Sequence, residues 1–241
     1  MHLQGKTALV TGGTDGIGAQ LIRQLRDKGV TVITQGRDAG RCAATRADGF
    51  EVIEADLSSK AGVDAVIAAV QGRNIDILIN NAGAGVDHDF RDPGLPDLAA
   101  SDATVFLNLN APIHLITALM AMLKSRGQAM IVNVTSGLAI APRAGGPVYC
   151  ATKAALRSYS QALRYQLSGT GVHVLEVLPP VVETKLTAGR SNRKMSAEEC
   201  ARQIVSAMQA DADEANVGMV KLLQLVHSIS PALARRIMLK F

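Results

Sequence analysis

The sequence predicts an α/β fold: one open, doubly wound parallel sheet with helices on both faces. Three observations predict it. Short apolar, β-branched runs alternate with stretches of helical periodicity from end to end, the pattern of βαβ units with right-handed crossovers. The first apolar run leads into a Gly-rich turn and then a helix, the order a phosphate-binding loop requires. The polar features fall just after a strand or at the start of the next helix. In an open parallel sheet, that edge is where ligands bind.

Size and composition are consistent with this. No Pro/Gly/Ser-rich linker or shift in composition divides the 241 residues, so 1–241 reads as a single domain. Hydrophobic residues make up 48% and aromatics 3%, so the core must be mostly aliphatic. The net charge is +4, with Lys and Arg spread out and no aromatic interleaving. That is a mild attraction for anionic small molecules and not a nucleic-acid footprint. Cys42, Cys150 and Cys200 are far apart and lack metal-ligand spacing. They read as reduced thiols in a cytoplasmic protein, with no metal site. The N-terminal apolar run enters the glycine turn without a signal-peptide h-region, and no run of ~18 apolar residues suggests a membrane span.

Taken in order, Thr7–Val10 reads as a buried strand, followed by Thr11-Gly12-Gly13-Thr14-Asp15-Gly16-Ile17-Gly18 and a helix marked by Leu21, Ile22 and Leu25. Glycines allow close approach to a pyrophosphate, and the helix N-terminus aims free N–H groups at it; the competing reading is an ordinary Gly-rich turn. Val30–Thr34 is the second strand, closed by Gly36-Arg37-Asp38. An acid at this strand end suits a ribose 2'-hydroxyl and an Arg suits a 2'-phosphate. Arg37 therefore favours NADP over NAD, although a solvated loop charge would look the same, and Asp15 and Asp38 argue mildly the other way.

Phe50–Ala55 is the third strand, ending in Asp56-Leu57-Ser58. Asp56 could accept from an adenine amino group or cap the next helix, Ser59–Val70. Ile75–Ile79 is the fourth strand, and Asn80-Asn81-Ala82-Gly83 suits the floor of a crevice where strand order reverses. Ala84–Ala103 reads as loop or short helix at the mouth of the site. Thr104–Lys124 is a long helix in which Pro112 cannot donate to the carbonyl of Asn108, so a kink is expected there. The freed carbonyl could hold a water. Ala129–Val134 is the fifth strand, leading to Ser136.

Tyr149 and Lys153 follow on a helix, Tyr149–Leu167. Residues at i and i+4 share a helical face, so phenol and ammonium point the same way. A neighbouring cation favours the phenolate and tunes the Tyr for acid–base work; a packed ring beside a solvated Lys is the competing reading. Val172–Leu178 is the sixth strand, ending in Pro179-Pro180-Val181-Val182-Glu183-Thr184. Residues 185–196, with Arg190, Arg193 and Lys194, read as a mobile basic lid over the substrate. Ala197–Ala210 is a helix and Glu214–Val220 a last short strand. Residues 221–241 form an apolar and basic helical tail, broken by Pro231. That tail reads as packed on its own domain or on a second subunit; attachment to a membrane surface is the lesser alternative.

Together these motifs resemble the short-chain dehydrogenase/reductase family over nearly the whole chain. Thr11–Gly18 resembles its nucleotide-binding signature and Asn80–Gly83 its second signature. Ser136 stands thirteen residues before Tyr149, Tyr149-xxx-Lys153 is similar to the catalytic pair, and Asn108 resembles the catalytic Asn. The Pro179–Thr184 segment resembles the family's Pro-Gly-x-Val-x-Thr, with Pro180 replacing the Gly. This departure, with Val217-Gly-Met-Val-Lys-Leu-Leu223, leans towards the DltE-like oxidoreductases. Asp15 stands where NADP-preferring members often carry a base, which leaves Arg37 as the main support for NADP.

The resemblance implies a Rossmann-type sheet and a carbonyl/secondary-alcohol oxidoreductase with NADP(H) preferred and NAD(H) possible. Its catalytic residues would be Asn108, Ser136, Tyr149 and Lys153. Its cofactor contacts would be Gly12, Thr14, Asp15, Gly16, Ile17, Gly18, Arg37, Asp56, Leu57, Asn80, Ala82, Gly83, Tyr149, Lys153, Pro179, Val182 and Thr184. It implies a small-molecule substrate and a homodimer or homotetramer with the helices carrying Asn108 and Tyr149 at the interface. The alternatives are an NAD-dependent alcohol or sugar dehydrogenase and a dinucleotide-binding regulator without chemistry.

Overall fold

Seven parallel strands form one sheet in the order β3-β2-β1-β4-β5-β6-β7. They are β1 (Thr7–Thr11), β2 (Thr31–Gly36), β3 (Glu51–Glu54), β4 (Ile77–Asn80), β5 (Ala129–Val134), β6 (Val172–Leu178) and β7 (Glu214–Asn216). The computed structural model describes residues 1–91, 94, 96–183 and 194–239.

Successive strand residues point to opposite faces, so the near-continuous apolar runs feed two cores. On one face Leu9, Ile33, Leu78, Ile131 and Val174 meet α3 (Lys60–Ala69), α5 (Ala111–Ser125) and α6 (Pro147–Gln166) through Val63, Leu115 and Leu163. On the other, Val10, Ile79, Val132 and Val177 meet α1 (Gly16–Asp27) and α7 (Ala197–Gln209) through Leu21, Leu25, Ile204 and Met208. Aliphatic packing on both faces is what an all-parallel sheet needs. This is the Rossmann-type, doubly wound arrangement the sequence predicts.

The winding reverses between β1 and β4, which pair directly. Each half of the chain runs outward from that point, so the loops after β1 and β4 diverge to opposite sides and leave a crevice above the strand ends. The remaining helices are α2 (Ala39–Ala47), α4 (Leu98–Val105), α8 (Val220–Ile229) and α9 (Pro231–Met238).

The kink expected at Pro112 is a π turn over Phe106–Asn110, in which Ala111 N–H donates to Phe106 O. A π turn adds one residue per turn and so rotates what precedes Pro112 relative to α5. The helix from Leu98 to Ser125 is apolar and long enough, by length and composition alone, to pass a test for a membrane span, as core helices also do. Its buried residues Leu107, Leu115, Leu119 and Leu123 belong to the core under the sheet.

Other boundaries differ in informative ways. β7 stops at Asn216 because Gly218 turns the chain at φ 54°, and Val220 opens α8 instead of ending the strand. The tail breaks at Pro231 as expected, with Ser230 capping α9 through Leu233 N–H. Of the expected lid, residues 185–193 lie outside the described residues. Met195 and Ser196, placed in the lid from sequence, are instead tied to neighbouring backbone. Met195 N donates to Val181 O at 3.0 Å and Glu183 N to Met195 O at 2.8 Å, and Ser196 caps α7.

Beside the sheet, Glu176 on β6 has no exposed surface. It accepts from Thr135 Oγ1 at 2.8 Å and pairs with Arg157 of α6 at 3.0 Å, while Arg157 also reaches Glu214 at 3.4 Å. Burial pushes the Glu176 carboxyl up, and Arg157 opposes the shift. Arg157→Met should therefore cost about 3–5 kcal/mol, because one charge is left buried without its partner. The remaining carboxyl then takes up a proton on folding, so stability falls as pH rises above its unfolded value. Thermal unfolding should show a deficit against wild type that shrinks as pH drops towards 5.

Candidate active site and dinucleotide crevice

The crevice begins where β1 ends. Thr11 Oγ1 accepts from Asn81 N and Ala82 N, both at 3.0 Å, and donates to Ile79 O at 3.3 Å. Asn81 Nδ2 donates to Thr11 O at 3.0 Å and Gly12 O at 3.2 Å. The glycine turn is thus fastened to the exit of β4. Gly12 has φ 68°, and a Cβ there would lie 2.9 Å from Ala82 Cα. A Cβ at Gly18 would lie 2.0 Å from Gly12 O. From below, Gln35 accepts from Gly12 N at 3.1 Å and donates to Ala55 O at 2.5 Å, bracing the turn against the exit of β3.

Above this turn lies a crevice of about 360 Å³, at the small end of the usual ligand range. It is lined by the predicted Gly12, Thr14, Asp15, Gly16, Ile17, Gly18, Arg37, Asp56, Leu57, Ala82 and Gly83. The residues present fit a dinucleotide: glycines let the turn pack against Ala82 and against itself, which brings its backbone and the N-terminus of α1 to the crevice. Asp15 caps that helix, accepting from Gly16 N at 2.8 Å.

At the far end Arg37 is exposed on the rim. Arg41, which sequence reasoning passed over, lines the crevice from the first turn of α2. It pairs with Asp15 at 3.2 Å and Asp38 at 3.6 Å, and its buried Nε has no acceptor among the described residues. The two acids weighed against Arg37 in the sequence are therefore both engaged by a second guanidinium. Asp56 is not the cap of α3. Ser59 holds that place, accepting from Gly62 N, while Asp56 accepts from Ser58 N in a tight turn and faces the crevice.

Asn80 is a correction. It was expected at the crevice, but its side chain is buried and donates to Asn133 Oδ1 at 2.8 Å, and Asn133 in turn donates to Ser160 of α6. Asn81 lines the crevice instead. Strand alternation explains the exchange: the last strand residue points under the sheet and the first loop residue is free to turn upward.

At the other end the structure gathers Asn108, Lys153 and Gly83. A Cβ on Gly83 would sit 3.3 Å from Asn108 Oδ1 and 3.4 Å from Lys153 Nζ. Asn108, on the π turn, is fully buried. It accepts from Ala84 N at 3.0 Å and donates to Ala84 O at 2.8 Å and Thr152 Oγ1 at 3.1 Å. One side chain therefore ties the β4 exit to the Tyr149 helix. Lys153 is 4% exposed, donates to Val134 O at 2.9 Å, and lies 5.8 Å from the Tyr149 ring centroid. Burial lowers its ammonium to about 8.

Tyr149 is half-buried in the first turn of α6. Ser136 follows β5 directly and accepts from Leu138 N at 3.1 Å, a bond that leaves its own O–H hydrogen available for donation. Pro179 O accepts from Gly137 N at 2.9 Å. That fixes the loop after β6 beside the loop carrying Ser136. Val182 is buried among core side chains, so only its backbone could face a ligand. Thr184 lies outside the described residues.

Thr11, Gln35, Arg41 and Asn81 are the residues sequence reasoning missed. Gln35, a buried amide closing an apolar strand, and Arg41, one turn beyond Arg37, each left a signal that could have been read.

Comparison with known proteins gives the same picture. The family described as short chain dehydrogenase matches residues 6–195. A Bacillus subtilis (strain 168) protein named uncharacterized oxidoreductase DltE is 36% identical over 224 residues, 89% of this chain and 88% of its own. Serine 3-dehydrogenase of Agrobacterium fabrum is 34% identical over 216 residues, 85% of this chain and 83% of its own. A short chain dehydrogenase from Burkholderia cenocepacia, solved in complex with NADP, superposes with TM-score 0.88 at 26% identity, covering 99% of both chains. The chain belongs to the short-chain dehydrogenase family, close to its DltE-like members, and is an NAD(P)-dependent oxidoreductase.

Proposed function

We propose that this protein interconverts a carbonyl and a secondary alcohol with NADP(H), Tyr149 acting as general acid in reduction and general base in oxidation. The observation that carries this reading is the placement of Lys153. Its buried ammonium sits one helical turn from Tyr149 and beside Gly83 at the end of the dinucleotide crevice. A buried cation stabilises a nearby phenolate far more than a solvated one would.

The bound dinucleotide would supply the hydride. The chain's own residues supply the rest. Gly12 to Gly18 and the N-terminus of α1 hold the pyrophosphate. Arg37 on the rim and the unsatisfied Nε of Arg41 are the donors for a 2'-phosphate. Ser136 donates to the carbonyl oxygen as charge builds there. Tyr149 transfers its proton to that oxygen, and Lys153 keeps the phenolate accessible. Asn108 fixes the spacing of Ala84 and Thr152 around them, and its backbone carbonyl, which Pro112 cannot use, is the place for a water that reprotonates Lys153. The backbone at Pro179 and Val182 and the side chain of Thr184 would meet the carboxamide.

The similarity to serine 3-dehydrogenase favours oxidation of a hydroxy acid as a second reading. We place the protein in the cytoplasm as a homodimer or homotetramer. An 18-residue stretch of the Leu98–Ser125 helix has a mean hydropathy of at least 1.2 but is only 39% buried, so part of its apolar surface is left for a second subunit.

Tyr149→Phe should bind NADPH normally yet turn over at least ~100-fold more slowly; near-normal turnover would sink the assignment of Tyr149 as the acid–base group. The ammonium of Lys153 is lost as pH rises through about 8. Alcohol oxidation needs the phenolate that this cation stabilises, so it should decline above that pH, and initial rates from pH 6 to 10 in both directions test the pattern. Fluorescence titration checks the crevice: Gly18→Ala should abolish NADPH binding, since its Cβ meets Gly12 O at 2.0 Å. Arg37→Ala and Arg41→Ala should each weaken NADPH by about tenfold and leave NADH little changed. Equal losses for both cofactors would favour the NAD-dependent alternative.

A further inference from the structure

Arg143 lies on the loop that joins Ser136 to the Tyr149 helix. Its side chain is only 11% exposed, and Nη2 donates to Asp87 Oδ1 on the segment leaving β4. The guanidinium rests on the backbone that opens α6. A Cβ on Gly145 would lie 3.0 Å from Nη1, and one on Gly146 would lie 2.8 Å from Nη2 and 3.1 Å from Asp87 Oδ1. Gly146 is the N-cap of α6, with Tyr149 three residues on, about 4.5 Å along the helix axis. Asp87 stands four residues after Gly83, the residue beside Lys153 Nζ. The pair therefore joins two walls of the site, the β4 exit and the loop leading to Tyr149.

The pairing is lopsided. The cation is buried while the Asp87 carboxylate is 51% exposed, and the buried Arg143 Nε has no acceptor among the described residues. A guanidinium presents a planar fork that matches a carboxylate with two parallel bonds. A buried donor left without an acceptor is a cost that an incoming anion removes. A pair built only to latch two loops would gain nothing from hiding the cation and leaving one of its donors unused.

We infer that Arg143 is a specificity-determining residue whose guanidinium receives a carboxylate carried by the substrate, with Asp87 holding it in place until one arrives. The inference rests on the carbonyl/alcohol chemistry proposed at Tyr149. The short reach from Gly146 to Tyr149 points to a small oxo acid or hydroxy acid, with the reacting carbon a few bonds from the carboxylate.

Two readouts test it on the full chain: calorimetric titration of the NADP⁺-loaded protein with 3-oxobutanoate and with its methyl ester, and NADPH-dependent reduction of the same pair. Wild type should favour the acid by about 10- to 100-fold in both. Arg143→Leu should abolish that ratio, Arg143→Lys should keep part of it, and Asp87→Asn should keep or enlarge it. Equal handling of acid and ester by wild type overturns the inference, as does an acid preference that survives in Arg143→Leu. Loss of the preference in Asp87→Asn as complete as in Arg143→Leu would mark the pair as a latch and also overturn it. Acid binding that depends on Arg143 without turnover of either compound would leave this inference standing and sink the proposed chemistry. Turnover of both without discrimination would do the reverse.

Discussion

The contact between Thr11 and Asn81 is the constraint on which the site depends. One hydroxyl accepts two backbone N–H groups from the β4 exit, and one amide donates to two carbonyls of the β1 exit. These groups lie at the switch point of the sheet, where no further strand pairing is available to satisfy them. Buried backbone groups left unpaired cost about 1–3 kcal/mol each. Side chains therefore take over where the ladder ends, and in doing so they fix how closely the glycine turn approaches Ala82. The absence of a Cβ at Gly12 and Gly18 follows from that approach.

The catalytic end extends the same device. Asn108 does for Ala84 and Thr152 what Asn81 does for Thr11 and Gly12: a single buried amide, satisfied on both oxygen and nitrogen, sets the distance between two segments. It can do so because the π turn before Pro112 rotates it out of the ordinary helical register and towards the sheet edge. The turn is the local cost of a Pro that cannot donate. It also orients the residue that holds the β4 exit to α6, so backbone irregularity and site geometry have one cause.

Most of the fold was legible because its signals are periodic. β5 and β6 matched to the residue, since each is a continuous apolar run bounded by polar loop residues. β7 was overextended because Gly218 interrupts a run whose hydrophobicity continues into α8. In the site, motif residues were found and bracing residues were not. Asn80 and Asn81 are chemically identical, and only the end of the strand pleat decides which of them faces the crevice. Arg41 depends on where α2 begins, and Gln35 on which side of β2 faces the turn. Both facts are tertiary.

Lys153 shows what the arrangement costs. Its ammonium has been moved out of water, where it donates to Val134 O, and its pKa falls from 10.5 to about 8. A base whose pKa is lowered by folding destabilises the folded state while it stays charged. That penalty is full below pH 8 and is relieved between there and the unfolded value. A shift of this size corresponds to about 3 kcal/mol, a large share of the margin of a typical domain. A solvated Lys on the same helix would carry no such cost, but water would screen its field at the phenol. The stability given up here is what makes the cation effective at Tyr149, and the apolar packing on both faces of the sheet is what allows the fold to bear it.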